Sequence, residues 1–484
     1  MSNQTRRRFL KTAAAASAAF PLFTIAGTKA SGKVIGANDT IRVGVAGIHG
    51  RGGSHIGGFA GMDKVQVTYL IDPDSSLHES RKKNVKSKGG NEPKCVQDIR
   101  EALDDQNLDA VSIATPNHWH SLITVWACQA GKDVYVEKPM SHNVFEGRKC
   151  VEAAAKYGCV VQHGTQQRSS QGRANEIAAL QSGKYGKLLV SKGYCCKPRW
   201  SIGHKEPGDA PEHLDFNLWL GPAPLQQYHG NLVHYNWHWF WDTGNGDTGN
   251  QGVHEMDVAR WAIKDSTMPK AVWSVGGRFI PGQKDYKDQG QTPNMQISVY
   301  EYDECLLLFE TRGLVGKNGV DRNVSNEYYT TDGMIKGGKF YPKDGGKAES
   351  VSGGEPRQVT GGGCFGAFIT AMRSRKPEDN NADAEVAHYS SALCHLGNIA
   401  FRMGEPMKFN KEANEFDGNK EVADSLKMLK DNLKAVDVDL DNTTYQVGPK
   451  LEFNPKAEKF VNNDKANDLL SREYRKPFEV PEKV

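Results

Sequence analysis

The stretch from Gly244 to Trp261, GNGDTGNQGVHEMDVARW, concentrates residues that can accept a proton or orient a polar ligand. His254 and Asp257 are three residues apart, so they share one face of a helix that the pattern predicts to begin near Gly252. Imidazoles are common general bases, and the unpaired N–H groups of a helix N-terminus attract oxygen-rich groups. We interpret this stretch, with Asn250 one turn before His254, as part of a reaction centre. A glycine-rich loop whose polar residues merely cap a helix is the alternative.

Aromatic side chains just upstream indicate the kind of substrate. Tyr235, Trp237 and Trp241 lie on the N-terminal flank of this stretch. The C–H faces of sugars pack on aromatic rings, and sugar hydroxyls require polar partners close by. These residues therefore predict a carbohydrate-binding surface, although a buried aromatic cluster that holds a loop to a sheet would have the same composition.

The elements that must position this chemistry begin with a strand and a glycine turn. Residues 41–46 have the apolar pattern of a buried strand and run directly into a near match to the dinucleotide fingerprint G-x-G-x-x-G. His49 stands where the second glycine is expected. The cofactor-binding residues predicted in this turn are Gly47, His49, Gly50, Arg51 and Gly52.

A second predicted strand, residues 65–71, ends at Asp72, twenty residues after Gly52. A carboxylate at this position accepts hydrogen bonds from an adenosine ribose and repels a 2′-phosphate, which favours NAD over NADP. An acidic turn residue ahead of Pro73 is the alternative.

Two further predicted strands, residues 109–114 and 133–136, end in polar residues. Ligands of open parallel sheets bind outside the carboxyl ends of the strands, so these side chains should face the cofactor. They are Thr115, Pro116, Asn117 and His120 after one strand, and Glu137 and Lys138 after the other. His118 and His120 alternate as extended residues would, but no third ligand lies nearby, and we predict no metal site.

Together these motifs resemble the glucose–fructose oxidoreductase, inositol dehydrogenase and rhizopine-catabolism family, Gfo/Idh/MocA, over residues 40 to 405. The pieces that carry the resemblance are the glycine turn, Asp72, Thr115-Pro116-Asn117 with His120, Glu137-Lys138-Pro139, and Gly252-Val253-His254 with Asp257. The resemblance implies an α/β Rossmann domain (40–164), followed by an α+β domain (165–405) with a large open, mostly antiparallel sheet. One face of that sheet often serves subunit contacts in the family, which implies a homo-dimer or homo-tetramer.

The resemblance also implies roles for single residues. Lys138 would lie beside the nicotinamide and the substrate hydroxyl, His254 would accept a proton, and Arg168 would lie at the cofactor–substrate boundary, unless it forms only a salt bridge. The family commonly has an aspartate four residues before the histidine. This chain has Asn250 there, which can orient a group but cannot share a proton.

The ends of the chain and its composition set further bounds. Residues 1–30, with Arg6-Arg7-Arg8 before an alanine-rich segment, are typical of a twin-arginine export signal and resemble the secreted branch of the family. A membrane anchor is the alternative, but the apolar run is short. We therefore expect a periplasmic or otherwise exported protein without stable membrane insertion. Residues 406–484 are predicted to form an appendage. The net charge of +3 favours neither nucleic-acid nor membrane-surface binding.

Three functions fit these features. The first is an oxidoreductase that acts on a secondary hydroxyl of a sugar or glycoside and passes hydride to tightly bound NAD. The second is a redox-neutral hydrolase, lyase or epimerase that works through a transient keto-sugar, favoured if the protein acts where free NAD is scarce. The third is a non-catalytic sugar or NAD sensor, which the presence of both Lys138 and His254 disfavours.

Overall fold

The computed structural model describes residues 39–282, 288–316, 320–409 and 418–484. The predicted export signal, residues 1–30, lies outside the described residues. Within the described ranges, no helix combines the length and the apolar character needed to cross a membrane.

The first domain is a six-stranded parallel sheet in the order β3-β2-β1-β4-β5-β6. Its strands are β1 Ile41–Ala46, β2 Val65–Ile71, β3 Lys94–Val96, β4 Ala110–Ile113, β5 Asp133–Val136 and β6 Val161–His163. The helices that connect and flank them are α1 Gly50–Phe59, α2 His78–Gly89, α3 Ile99–Leu103, α4 Asn117–Gln129 and α5 Val144–Tyr157. The strand order reverses between β1 and β4, which opens a crevice at their carboxyl ends.

The second domain is built on a twelve-stranded sheet in which β7 and β10 pair in parallel and the other pairs are antiparallel. Its strands are β7 Leu188–Cys196, β8 Ala271–Gly277, β9 Met295–Glu301, β10 Leu306–Arg312, β11 Asn323–Thr330, β12 Gly333–Lys336, β13 Lys339–Pro342, β14 Glu349–Ser350, β15 Glu405–Lys408, β16 Thr444–Val447, β17 Leu451–Asn454 and β18 Lys459–Phe460. The α-helices are α6 Gln171–Gln181, α7 Phe216–Leu220, α8 Val253–Ala262, α9 Gly363–Ser374, α10 Ala384–Arg402, α11 Lys420–Ala435 and α12 Asp464–Asp468. Short 3-10 turns cover Ser75–Leu77, Gln166–Ser169, Asn236–Trp239 and Pro377–Asp379.

This architecture confirms the predicted Rossmann domain followed by a domain with a large, mostly antiparallel sheet. One local prediction was wrong. His118 and His120 lie in the first turn of α4 rather than in an extended segment, because the helix begins at Asn117. The helix predicted to begin near Gly252 does begin at Val253, and one turn of π-helix, Thr248–Gly252, precedes it. The segment after residue 405 is also more integrated than an appendage, since β16 and β17 both pair with β8.

A long excursion of the second domain, residues 208–240, crosses to the first domain, and we call it the strap. It has a small apolar core of its own, which includes Trp219, Leu232 and Phe240. Residues 469–484, which we call the tail, pack against both the strap and the first domain. Phe478 of the tail is buried in the core of the first domain.

Candidate active site

The glycine turn after β1 forms a cradle that admits no side chains at two positions. Gly47 has φ +77°, and a Cβ there would lie 2.6 Å from the carbonyl carbon of Ala114. A Cβ on Gly52 would lie 1.8 Å from the carbonyl oxygen of Gly47. A Cβ on Gly50 would meet no atom within 4 Å, so this glycine leaves the backbone open at the start of α1.

Asp72 ties this turn to the end of β2. Its carboxylate is 7% exposed and accepts the backbone N–H groups of Ile48 at 2.9 Å and Asp74 at 3.0 Å, one on each oxygen. Burial raises the pKa of Asp72 to about 6. Each oxygen retains capacity for a further donor, as binding of a ribose hydroxyl requires.

The cradle opens into a cleft lined by both domains. The first domain contributes the glycine turn, Asp72 and the residues at the ends of β4 and β5. The strap contributes the opposite wall, formed by Leu218, Trp219, His234, Tyr235 and Trp237. Of the predicted substrate-binding aromatics, Tyr235 and Trp237 therefore do lie on the cleft.

Lys138 connects this cleft to the motif around His254. Its Nζ donates to the main-chain carbonyl of Asn250 at 2.5 Å, and both residues line the cleft. A π turn departs from the i to i−4 hydrogen-bond pattern of an α-helix, and here it presents the Asn250 carbonyl to the lysine. Burial lowers the pKa of Lys138 from its ordinary value. The contact uses the backbone of Asn250, so the side-chain amide is not consumed by it.

His254 is the first-turn histidine of α8. Burial lowers its pKa to about 3, and the charge of Lys138 adds to this effect. The ring is therefore neutral near pH 7 and able to accept a proton. Its ring nitrogens have no hydrogen-bond partner among the residues that the structure describes. The ring is near enough to Lys138 for the lysine charge to lower its pKa. It does not form part of the cleft wall.

Glu137 is held by two residues of α1. Its Oε1 accepts from Arg51 Nε at 2.7 Å and lies 3.2 Å from His55 Nε2. On the other side of the ring, His55 Nδ1 lies 2.7 Å from Ser112 Oγ. Although burial opposes ionisation, the hydrogen bond from His55 and the neighbouring positive charge hold the pKa of Glu137 below its ordinary value. The residue next to Lys138 is therefore a carboxylate.

Arg168 and Asp257 form a buried ion pair, so the geometry does not support their predicted substrate and catalytic roles. Arg168 Nε and Nη2 each lie 2.9 Å from a carboxylate oxygen of Asp257, and Ser390 Oγ donates to the same carboxylate at 2.6 Å. Arg168 also lies over the ring of Trp261. A buried charge must be paired, and here each residue satisfies the other. The pair anchors α8 to the end of β6.

Trp241 lies away from the cleft as well. It lines a separate polar cavity with Asn245 and His395, and Arg402 lies over its ring. Asn117 lines the cleft and donates to Asn245 Oδ1 at 3.1 Å, so a hydrogen bond joins a lining residue of the cleft to one of this cavity.

His118 and His120 are buried and bonded to the backbone. The His120 ring lies within hydrogen-bond distance of the carbonyls of Thr115 and Pro139, and that of His118 reaches the carbonyls of Thr243 and Trp219. The His120 ring therefore joins the loops after β4 and β5, whereas the His118 ring joins α4 to the strap and to Thr243. Thr115, Pro116, Asn117 and His120 line the cleft, as predicted for residues that face the cofactor.

Family models match both domains. The model described as oxidoreductase family, NAD-binding Rossmann fold, matches residues 41–165. The model described as oxidoreductase family, C-terminal alpha/beta domain, matches residues 184–289. Both models are of the Gfo/Idh/MocA oxidoreductase family, so the two matched regions are similar to that family.

The chain is similar to curated glycosyl hydrolase family 109 proteins. Over 220 residues the chain is 28% identical to a glycosyl hydrolase family 109 protein of Shewanella pealeana, covering 41% of this chain and 47% of that protein. Over 232 residues it is 27% identical to a glycosyl hydrolase family 109 protein of Shewanella baltica, covering 42% and 50%. The chain thus spans about half the length of the curated relatives it matches.

Solved structures with low sequence identity share the fold. A scyllo-inositol dehydrogenase from Lactobacillus casei with NAD(H) and scyllo-inositol has a TM-score of 0.53 at 16% identity, covering 75% of this chain and 97% of that chain. The WlbA dehydrogenase from Bordetella pertussis with NADH and UDP-GlcNAcA has a TM-score of 0.52 at 16% identity, covering 74% and 95%.

The cleft fits NAD. The glycines at 47 and 52 and the open N-terminus of α1 would hold the pyrophosphate, and Asp72 would hold the adenosine ribose. The second-glycine position does not require a glycine, because the side chain of His49 turns to stack on His234, with ring centroids 4.4 Å apart.

Several residues around the cleft were not predicted from the sequence. His55 carried a signal, since it lies four residues after Arg51 and so shares its helix face. Asp74, His213 and His234 carried none, because they meet only when the strap reaches the first domain. His163, at the end of β6, is buried, and neither of its ring nitrogens has a partner in the described part of the chain.

Proposed function

We propose that this protein is an NAD-dependent enzyme that oxidises a secondary hydroxyl of a sugar or glycoside. The observation that carries the proposal is the contact between Lys138 Nζ and the Asn250 carbonyl, which joins the cofactor domain to the motif of His254 at one cleft. The aromatic rings of Tyr235 and Trp237 on the same cleft suit the C–H face of a sugar.

Each group has a defined task in this proposal. Lys138 hydrogen-bonds the substrate oxygen and orients the alcohol, and neutral His254 accepts the hydroxyl proton. NAD, when bound, would accept the hydride from the same carbon. Lys138 has donors to spare, because an ammonium carries three and the Asn250 carbonyl takes one.

A redox-neutral net reaction is the second candidate. Transient oxidation of a sugar acidifies the neighbouring C–H, which permits elimination or hydrolysis before the carbonyl is reduced again. Two observations favour it: the glycosyl hydrolase family 109 relatives, and the strap, which walls the cleft and would retain the cofactor. Export by the twin-arginine route, which we propose from the sequence, would make such retention useful.

The stoichiometry of turnover tests both candidates. Purified protein loaded with NAD is incubated with a panel of p-nitrophenyl glycosides, and absorbance of NADH is followed beside released nitrophenol. Many turnovers without an added acceptor indicate the redox-neutral reaction. A single equivalent of NADH per protein, with the rest dependent on an acceptor, indicates net oxidation.

Lys138→Met and Arg373→Met provide the test variant and its matched control. The loss of Lys138 should reduce turnover about 100-fold to 10,000-fold while NAD still binds. Arg373 is half-buried on α9 and does not line the cleft, so its replacement should leave turnover unchanged. Full activity of Lys138→Met would refute the proposed role.

A further inference from the structure

A buried chain of hydrogen bonds runs from the centre of the Rossmann sheet to the mouth of the cleft. Ser112 lies on β4, His55 on α1, and Glu137 directly after β5. All three are at least 96% buried. The contacts are Ser112 Oγ to His55 Nδ1 at 2.7 Å, and His55 Nε2 to Glu137 Oε1 at 3.2 Å.

One protonation pattern satisfies every contact. Burial lowers the pKa of His55, so the ring is neutral and carries a single proton. With that proton on Nε2, the ring donates to Glu137, and Nδ1 accepts from the hydroxyl of Ser112. The ring then orients the Glu137 carboxylate and leaves it ionised.

Arg51 lies between this chain and the cleft. Its Nε donates to Glu137 at 2.7 Å, and its side chain is 41% exposed and lines the cleft. The terminal amino groups of Arg51 have no hydrogen-bond partner among the described residues, so they are available to an anion. Arg51 stands in the first turn of α1, where the backbone N–H groups also favour negative charge.

We propose that Ser112, His55 and Glu137 form a positioning relay that holds the Arg51 guanidinium against the glycine turn as a receptor for the cofactor pyrophosphate. His55 and Ser112 touch no ligand in this relay. They act through Glu137, whose carboxylate fixes Nε of Arg51 and thereby directs the two amino groups toward the phosphate.

The relay explains why the charged side chains of Glu137 and Arg51 lie beside the imidazole of His55 at the end of the sheet. An isolated buried carboxylate would cost several kcal/mol, so it needs partners that do not move. It also predicts that a residue remote from the ligand controls cofactor affinity. The proposal rests on the proposed function only for its cofactor, NAD, and its test measures NAD binding without turnover. The relay can therefore be refuted while the proposed reaction stands, and the reaction can be refuted while the relay stands.

The test measures the dissociation constant of NAD by quenching of tryptophan fluorescence. His55→Leu should weaken NAD binding about tenfold or more, and Arg51→Gln should do the same. His55→Gln retains an N–H donor near the position of Nε2 and should restore most of the affinity. Ile56→Val, a mild packing change at the neighbouring buried residue of α1, should bind NAD normally.

Coupling between the variants separates the relay from a general packing effect. In the double variant His55→Leu/Arg51→Gln, the loss should be close to that of either single variant, because both remove the same interaction. If His55→Leu does not fold, Ser112→Ala serves the same purpose, because it removes only one hydroxyl. Its smaller loss of NAD affinity should vanish when Arg51→Gln is also present. Additive losses, or a His55→Gln variant as weak as His55→Leu, would overturn the proposal.

Discussion

The charge of Lys138 depends on groups contributed by several elements. Glu137, Asp247 and Glu255 favour the ammonium, whereas burial and the charge of Arg51 oppose it. The Asn250 carbonyl adds a dipole but no charge. Burial outweighs the favourable charges, so the pKa of Lys138 is lowered, and burial lowers the pKa of His254 as well.

Asn250→Asp tests this balance. A carboxylate one turn before His254, on the residue whose main-chain carbonyl binds Lys138, should raise the pKa of both groups, because it favours each charged form. In the wild-type protein, the acid limb of turnover should lie well below pH 6.5, since the pKa of His254 is about 3. The variant should move the acid limb upward by roughly 1 to 3 units.

Asn250→Ala is the control for this shift, since it removes the amide without adding charge. Its turnover should fall without displacement of the acid limb. A pH profile of Asn250→Asp that coincides with that of the wild-type protein would contradict the assigned electrostatics.

At the scale of elements, local patterns predicted the Rossmann strands and the start of α8, since both rest on short-range periodicity and glycine positions. The strand ending at Asp72 and the glycines at 47 and 52 were found in this way. The π turn could not be predicted in this way, because it inserts one residue into a helical pattern without changing the composition. The crossing of the strap to the first domain was not predicted, because its partners there lie about a hundred residues or more away in the chain.

Asp74 latches the strap to the first domain. Its carboxylate lies 2.8 Å from His213 Nδ1 and 2.8 Å from His234 Nε2, and both histidines belong to the strap. His234 also stacks on His49 of the glycine turn. The backbone repeats the attachment, since the N–H of Asp215 donates to the carbonyl of Pro73 at 2.9 Å. The latch therefore closes one side of the NAD cleft.

Asp74→Asn should release the latch while preserving the local turn. Asparagine can still accept a hydrogen bond from the N–H of Ser76, as Asp74 does. It has one acceptor oxygen and no charge, so it cannot accept hydrogen bonds from both histidines as the carboxylate does. We expect dissociation of NADH, measured by stopped-flow displacement, to accelerate about tenfold, the equivalent of about 1.4 kcal/mol. Asp209→Asn, an exposed change on the strap, should leave the rate unaltered. Equal rates for both variants would contradict a latch.

At the scale of the whole molecule, the tail joins parts that are distant in the chain. Arg475 donates to the carbonyl of Gly221 at 3.0 Å and to Asn217 Oδ1 at 2.6 Å, both in the strap. Three residues later, Phe478 is 1% exposed and packs edge-on against Trp119 of α4. Trp119 in turn donates to the carbonyl of Trp219 at 3.0 Å. The tail therefore contacts the strap at residues other than those that bind Asp74.

This arrangement predicts different outcomes for two tail variants. Phe478→Ala removes a buried ring from the core of the first domain and should lower the free energy of unfolding by about 3–5 kcal/mol. Arg475→Ala removes contacts to the strap from a half-buried position, so its cost in stability should be smaller. Its main effect should be faster NADH dissociation, approaching that of Asp74→Asn. Chemical denaturation and stopped-flow displacement on the same preparations separate the two effects. If Arg475→Ala releases NADH at the wild-type rate, the tail stabilises the fold without controlling the cleft.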